Sequence, residues 1–322
     1  MTATEQQPRP GPLATNGGPP GGPQPARTRR RQVSELVDRH IVGVFMTPAV
    51  IFVVVMMIVP VAFTIWLSLH SWSGGANSTP TFIGLDNFAQ VLTGDPRFWD
   101  ALRRTFYFTI LAVVVETFLG VAIAVLLNRE FLGKGLLRTI FLFPMIATPV
   151  AIALVWRLMY EPSLGILNDI LAAVGLPTST WVADQSLVIP ALALVDVWEW
   201  TPLITLITLA GLSALPADPF EAAAIDGAGR WQTLRHITLP MMRPVIVVAV
   251  AFRLIDALKT FDIIYVITQG GPGFASETLN LYVYTQSFQY QNLGYSASLL
   301  IVFFAIVVGS AVLLLRFRRA GE

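Results

Sequence analysis

The chain has 322 residues, of which 54% are hydrophobic and only 13% charged, with a mean hydropathy of +0.65. A soluble domain carries about 25% charged residues, so this composition is that of a membrane protein. The 21 basic and 20 acidic residues nearly cancel, which argues against a nucleic-acid surface, and the absence of cysteine excludes disulfides, thiolate metal sites and Cys nucleophiles. The three histidines (His40, His70 and His236) show no ligand spacing, so no metal site is expected.

In chain order, residues 1–26 hold seven prolines and five glycines with almost nothing apolar. Such a segment cannot form a core and is expected to be disordered. With the basic run Arg27–Arg31, which reads as an orientation signal near anionic lipid, it makes a cytoplasmic tail over residues 1–40. A transmembrane domain is expected over 41–315, and a short tail over 316–322. A spanning helix needs about 20 mostly apolar residues. Six stretches qualify: Ile41–Leu69, Thr105–Leu127, Leu137–Tyr160, Leu187–Ala210, Pro244–Ile267 and Tyr295–Leu315. The fold class is therefore an all-α membrane protein with six transmembrane helices. The first stretch is too long for a signal-peptide core and lacks a small-residue cleavage site, so it is expected to be retained. Pro48, Pro60, Pro144, Pro149 and Pro202 fall inside these spans and imply bent or packed helices. With the N-terminus in the cytoplasm, fifteen basic residues lie inside and only Arg97, Arg103 and Arg104 outside, which places both termini in the cytoplasm.

The polar segment between the fourth and fifth spans, 215–244, is too polar to cross a membrane. Asp218 can cap a helix, Pro219 suits its first position, and Glu221 sits where a capping-box carboxylate belongs. A short helix is expected through Glu221–Ile225, ended by Asp226-Gly227 because glycine adopts the left-handed conformation of a helix stop. A second short helix is expected over Arg230–Ile237, ending near Leu239-Pro240. Together they form a helix-turn-helix projection on the cytoplasmic face. Trp231 reads equally as an interface anchor or as a partner contact.

Glu221-Ala222-Ala223, Asp226-Gly227-Ala228, Ile237, Leu239 and Pro240 resemble the "EAA" loop of bacterial ATP-binding-cassette (ABC) importer permeases. Leu234 stands where that loop usually has an aromatic residue. Phe82-Ile83-Gly84-Leu85-Asp86-Asn87-Phe88, Phe261-Asp262, Thr268 and Gly270-Gly271-Pro272 resemble the carbohydrate branch of the family. The resemblance covers nearly the whole chain from about Ile41. It implies the type I ABC importer permease fold in a bacterial inner membrane. The implied partners are a second permease forming a heterodimer, two copies of a cytoplasmic ATPase that hold ATP-Mg, an extracytoplasmic sugar-binding protein and a carbohydrate substrate. The binding protein would deliver its sugar to the loops Phe82–Arg104 and Gly270–Tyr295. The loop residues implied to couple to the ATPase are Glu221, Ala222, Ala223, Asp226, Gly227, Ala228 and Gly229. Without the resemblance, the same loop reads equally as an amphipathic segment lying on lipid.

An ionisable side chain in mid-bilayer costs about 2.5–3.5 kcal/mol on insertion scales, so each marks a functional candidate. Glu116 falls mid-way along the second span, Asp196 and Glu199 in the fourth, and Arg253, Asp256, Lys259 and Asp262 in the fifth. Asp196, Glu199, Trp200 and Leu203 share one helical face by their i, i+3, i+4, i+7 spacing, and Arg253, Asp256, Ala257 and Thr260 repeat it. Two polar faces at comparable depth predict a shared hydrated cavity, where carboxylates could meet sugar hydroxyls and Trp200 could cover an apolar ring face. Trp198 is expected to face lipid or another helix. The resemblance places the family's sugar site on these same two faces. The alternative reading is that Arg253–Asp256 and Asp256–Lys259 are ion pairs locking helices together. Glu116 is expected to pair with Arg253 or Lys259. The acid-rich stripes suit a neutral sugar or polyol better than a sugar phosphate.

No phosphate-binding loop is present, since Gly133-Lys134-Gly135 lacks the leading glycine and the Ser/Thr. H-E-x-x-H and G-x-S-x-G are absent too. The chain is thus expected not to be an enzyme and to have no catalytic residues or cofactor of its own. The rival reading is a proton-coupled secondary transporter relaying protons through Glu116, Asp196 or Glu199.

Overall fold

The computed structural model describes residues 29–75, 78–129 and 131–319. The expected tail over 1–28 lies outside the described residues. The chain divides into two compact units, one up to Val61 and one from Ala62 onward. The first unit is one apolar helix, the leading part of α1 (Arg29–Ser68). It begins at Arg29 rather than Ile41 because arginine, glutamine, glutamate and leucine ahead of the apolar stretch are good helix formers. It continues through Pro48, where the Thr47 hydroxyl donates to the Gly43 carbonyl at 2.6 Å.

In the second unit a two-residue hairpin pairs β1 (His70–Ser71) with β2 (Thr81–Phe82) and leads into α2 (Asp86–Ala89). Then come α3 (Pro96–Leu127), α4 (Lys134–Ile146), α5 (Pro149–Met159), α6 (Ile166–Ala173) and α7 (Val188–Ser213). The polar loop forms α8 (Asp218–Ile225) and α9 (Arg230–Thr233), followed by α10 (Leu239–Leu258), α11 (Asp262–Thr268), α12 (Leu279–Tyr284) and α13 (Leu293–Arg319).

All six expected segments are helical, but two are broken. Among the described residues, four helices are long and apolar enough to cross a membrane unaided: Phe45–Ser68, Pro96–Leu127, Val188–Ser213 and Leu293–Leu314. The third expected span is α4 and α5, bent by 95°. Pro149 pushes Thr148 to an extended conformation (ψ 136°), which ends α4 and restarts the helix with proline in its first turn. The fifth expected span, Pro244–Ile267, is α10 and α11. Its ladder tightens to i, i+3 bonds from Lys259 N to Asp256 O (2.9 Å) and Thr260 N to Ala257 O (3.2 Å), then breaks at Phe261. Helix α3 starts nine residues before Thr105 because the Asp95 carboxylate caps it, accepting from Arg97 N (2.9 Å) and Phe98 N (3.2 Å).

The core forms where α3, α5, α7 and α11 meet, around Phe108, Ile152, Trp156, Leu192, Val195 and Ile264. Tyr160 closes one side by donating to the Ala191 carbonyl at 2.7 Å. The α3–α7 contact is close because Gly120 has no side chain: a Cβ there would lie 2.7 Å from Ile204 Cβ and Cγ2. Gly120→Ala should therefore force the two helices apart and lower stability by about 1–3 kcal/mol. A thermal-unfolding series in detergent should show this drop, with Gly135→Ala, which meets nothing within 4 Å, as the neutral comparison.

Candidate functional site

Arg253 on α10 is fully buried and makes four hydrogen bonds to three carboxylates. Its Nε and Nη2 grip Glu116 of α3 at 2.7 and 2.9 Å. Nη2 also donates to Asp196 of α7 at 2.6 Å, and Nη1 donates to Asp256 at 2.6 Å. Its guanidinium lies 4.9 Å from the centre of the Trp200 ring, a cation–π distance. Glu116 thus pairs with Arg253, as one of its two expected partners, and Arg253 with Asp256. The expected Asp256–Lys259 pair does not form among the described residues. Lys259 is the residue after the end of α10, and only its backbone N–H bonds to Asp256, through the carbonyl oxygen.

Beside this cluster lies a cavity of about 230 Å³, lined by Asp196, Glu199, Trp200, Asp256, Thr260 and Asp262 among others. Asp196 Oδ1 and Glu199 Oε2 are buried there without a hydrogen-bond partner, although both residues are only 1% exposed. Polar atoms so placed ordinarily have partners, so two residues that line the cavity each keep an unused acceptor. The two predicted faces do converge, with three departures. Arg253 sits behind the cavity in the ion cluster rather than on its wall. Leu203 and Ala257 do not line it: Leu203 is one turn further along α7, and Ala257 is packed into the core. Thr260 lines it, yet from the unwound stretch after α10 rather than by helical spacing. Lys259 lines it as well. Trp198 points away, its ring edge-on to Trp156 at 5.8 Å.

The polar loop departs from expectation at both ends. Ala217, not Asp218, is the residue ahead of α8, and no side chain caps that helix. Asp218 is drawn into the first turn together with Pro219, where both still suit the helix N-terminus. Gly227 takes the left-handed conformation (φ +73°) expected of a stop, and Ala228 N bonds back to Ala223 O at 2.9 Å. The second helix does not end at Leu239-Pro240. From α9 the chain passes through a wide π-type turn, Leu234–Thr238, straight into α10. Pro240 falls in the first turn of α10, where its missing N–H is tolerated. Of the predicted coupling residues, Glu221, Ala222, Asp226, Gly227 and Gly229 are exposed, Ala228 is half-buried and Ala223 is buried against its own chain. Ile225 and Trp231 are 86% and 71% exposed, a pair of large apolar side chains at the loop's rim. A groove of about 780 Å³ runs between this loop and the ends of α3 and α7, lined by Arg129, Phe220 and Arg230 among others.

The opposite end holds a cluster that the sequence reading did not find. Arg97 grips Glu277 with two bonds of 2.7 Å and lies 3.9 Å from the Phe274 ring centre. Asp95 Oδ2 accepts from the Tyr282 hydroxyl at 2.7 Å and from the Tyr295 hydroxyl. Burial and then the Asp95 carboxylate push the Tyr282 phenol above its ordinary value, keeping it a donor. Partners 180 or more residues apart leave no local spacing to read. Asn87, in the stretch 82–88, is buried and donates to the Ser68 and His70 carbonyls at 2.8 and 3.0 Å, so it pins the end of α1.

Residues 116–320 match the family described as binding-protein-dependent transport system inner membrane component. The chain is 40% identical over 278 residues to the trehalose/maltose transport system permease protein MalF of Thermococcus litoralis, covering 84% of this chain and 92% of that one. It is 36% identical over 306 residues to a probable ABC transporter permease protein of Sinorhizobium fredii, covering 94% and 96%. Its fold is similar to a chain in the crystal structure of a bacterial alginate ABC transporter in complex with alginate pentasaccharide-bound periplasmic protein. That likeness has a TM-score of 0.76 over 87% of this chain and 94% of that chain, at 19% identity.

Removing Arg253 would leave Glu116 and Asp196 as uncompensated buried carboxylates. Arg253→Ala should cost about 3–5 kcal/mol, seen as a collapse of the monodisperse peak in detergent chromatography. Adding Glu116→Leu to that variant should recover part of the loss.

Proposed function

Because the chain belongs to the binding-protein-dependent transport system inner membrane component family, as a multi-pass permease subunit of an ABC importer and not an enzyme, we propose that its cargo is a carbohydrate and that the cavity beside Glu199 receives it. The observation that carries this reading is the pair of buried, unpartnered acceptors, Asp196 Oδ1 and Glu199 Oε2, on two residues that line a cavity together with Trp200. Hydroxyl donors and the apolar face of a sugar ring fit that combination. The excess of carboxylates over cations around the cavity favours a neutral sugar or polyol over a sugar phosphate. The cargo for which the Thermococcus litoralis relative is named, trehalose and maltose, is in the same class.

In this reading the chain pairs with a second permease as a heterodimer. Two copies of a cytoplasmic ATPase carry the ATP-Mg, and an extracytoplasmic sugar-binding protein delivers the cargo. Both termini are cytoplasmic, which puts α8 and α9 inside and the Arg97–Glu277 end outside. The exposed residues Glu221, Ala222, Asp226, Gly227 and Gly229, with half-buried Ala228, then meet the ATPase. Buried Ala223 supports the turn from behind. ATPase closure would move α8, and α9 would pass that movement directly into α10.

Uptake of labelled trehalose or maltose by the reconstituted assembly should require ATP and survive collapse of the proton gradient; uptake that follows the gradient without ATP would instead favour the proton-relay reading. Glu199→Ala should weaken sugar affinity about tenfold or more, the loss of a hydrogen bond to a charged group. Unchanged affinity in a correctly assembled variant would remove the cavity from the pathway.

Gly227→Val should strain the left-handed turn by about 1–2 kcal/mol. It should lower ATP-driven uptake and ATPase co-purification while leaving equilibrium sugar binding unchanged.

A further inference from the structure

At the end proposed to face outward lies a second cavity of about 380 Å³, lined by Trp72, Gln90, Asp95, Tyr282, Gln286 and Asn292 among others. It shares no lining residue with the cavity at Glu199. Its volume is within the range of about 300–1,000 Å³ usual for small-molecule sites. We propose that it is an entry subsite that holds one glycosyl unit of a neutral carbohydrate before transfer to the inner cavity. The proposal rests on the carbohydrate reading above.

The polar groups on its wall are held in place before any ligand arrives. The Gln286 amide donates to the Tyr282 hydroxyl at 3.0 Å, which in turn donates to Asp95 at 2.7 Å. Asn292 Nδ2 donates to Gln286 Oε1 at 3.1 Å. Each amide still has a hydrogen to give, and Asn292 Oδ1 can still accept. The exposed Gln90 side chain makes no hydrogen bond among the described residues, so its amide donors and acceptor are open to a ligand. Trp72 supplies an aromatic plane, its orientation fixed by donation from Nε1 to the Ser78 carbonyl at 3.1 Å. The wall is tied down by backbone bonds from Gly74 N to Gln291 O (2.9 Å) and Gly294 N to Trp72 O (3.2 Å). Gly294 is needed for that approach: a Cβ there would lie 1.9 Å from the His70 carbonyl oxygen.

Charge selects the ligand class. The charge on the lining is Asp95, and its oxygens are already engaged by two phenols and two backbone N–H groups. The nearby Arg97 is committed to Glu277. With no free cation to meet an anion, and with amides, hydroxyls and an indole available, the cavity suits a neutral polyhydroxylated ring.

The test is hydrogen exchange on the reconstituted transporter, with its second permease and ATPase, in the presence of trehalose, maltose or glucose. Glucose 6-phosphate and glucuronate serve as anionic probes. The neutral sugars should slow exchange over 71–75 and 286–294, and the anionic ones should not. Gln90→Ala, an exposed change, should weaken that protection about tenfold in sugar concentration without altering protection over 196–203. Gln90→Trp, which fills the opening, should abolish it. Glu199→Ala should remove protection only at the inner cavity. Protection of the outer segments alone would leave the entry subsite standing while removing the inner reading. Three results would overturn the subsite: protection at the inner cavity alone, equal protection by anionic sugars, or outer protection that appears only with the binding protein and regardless of sugar. Absence of protection anywhere across the panel would overturn both readings.

Discussion

A guanidinium sealed among apolar helices is tolerated only when carboxylates meet it, and Arg253 meets three. Asp256 lies on α10 with Arg253, while Glu116 and Asp196 come from α3 and α7, so these three helices can hold only the relative positions that keep Glu116 and Asp196 within hydrogen-bond reach of Arg253. Such clusters are poor sources of net stability, because desolvation offsets most of the attraction. They are effective at forbidding alternatives, since any packing that strands one partner is heavily disfavoured. Asp196 spends one oxygen on Arg253 and leaves the other without a partner, on a residue that also lines the neighbouring cavity.

Helix α3 ties the ends of the molecule to this centre. Its N-terminal cap, Asp95, anchors two tyrosines, and Arg97 two residues later holds Glu277. Its middle supplies Glu116, and its C-terminal end borders the groove beside the polar loop. Gly120 lets it approach α7 between those points. A displacement of α3 would thus be felt at Tyr282 and Tyr295, at the ion cluster and at the loop together.

Much of this was legible in the residues. The order of apolar segments gave the helices, Asp226-Gly227 gave the turn, and the placement of charges gave the meeting of α7 with α10. What failed did so for identifiable reasons. Counting by 3.6 carried Leu203 and Ala257 onto a wall they do not form, because a cavity narrower than the helical stripe admits only part of it. Thr260 was reached by the same count although the helix had already ended. Leu239-Pro240 was read as a stop because proline usually is one; the wide turn ahead of it absorbs the cost. A bend in the third span was expected from Pro144 and Pro149, but not one of 95°, because hydropathy runs uninterrupted across it. The Arg97–Glu277 pair had no signal at all, since nothing in a single sequence joins residues so far apart.

The wide turn at Leu234–Thr238 has a further meaning. A π-type turn is what remains when one extra residue is accommodated in a regular helix. Its presence fixes the phase between α9 and α10, because one residue more or less rotates everything downstream by about 100°. Arg253 faces Glu116 and Asp196 only at the present phase. The arm formed by α8 and α9 and the buried charge are therefore geared to each other like two wheels on one shaft, with that single turn as the key that sets their timing.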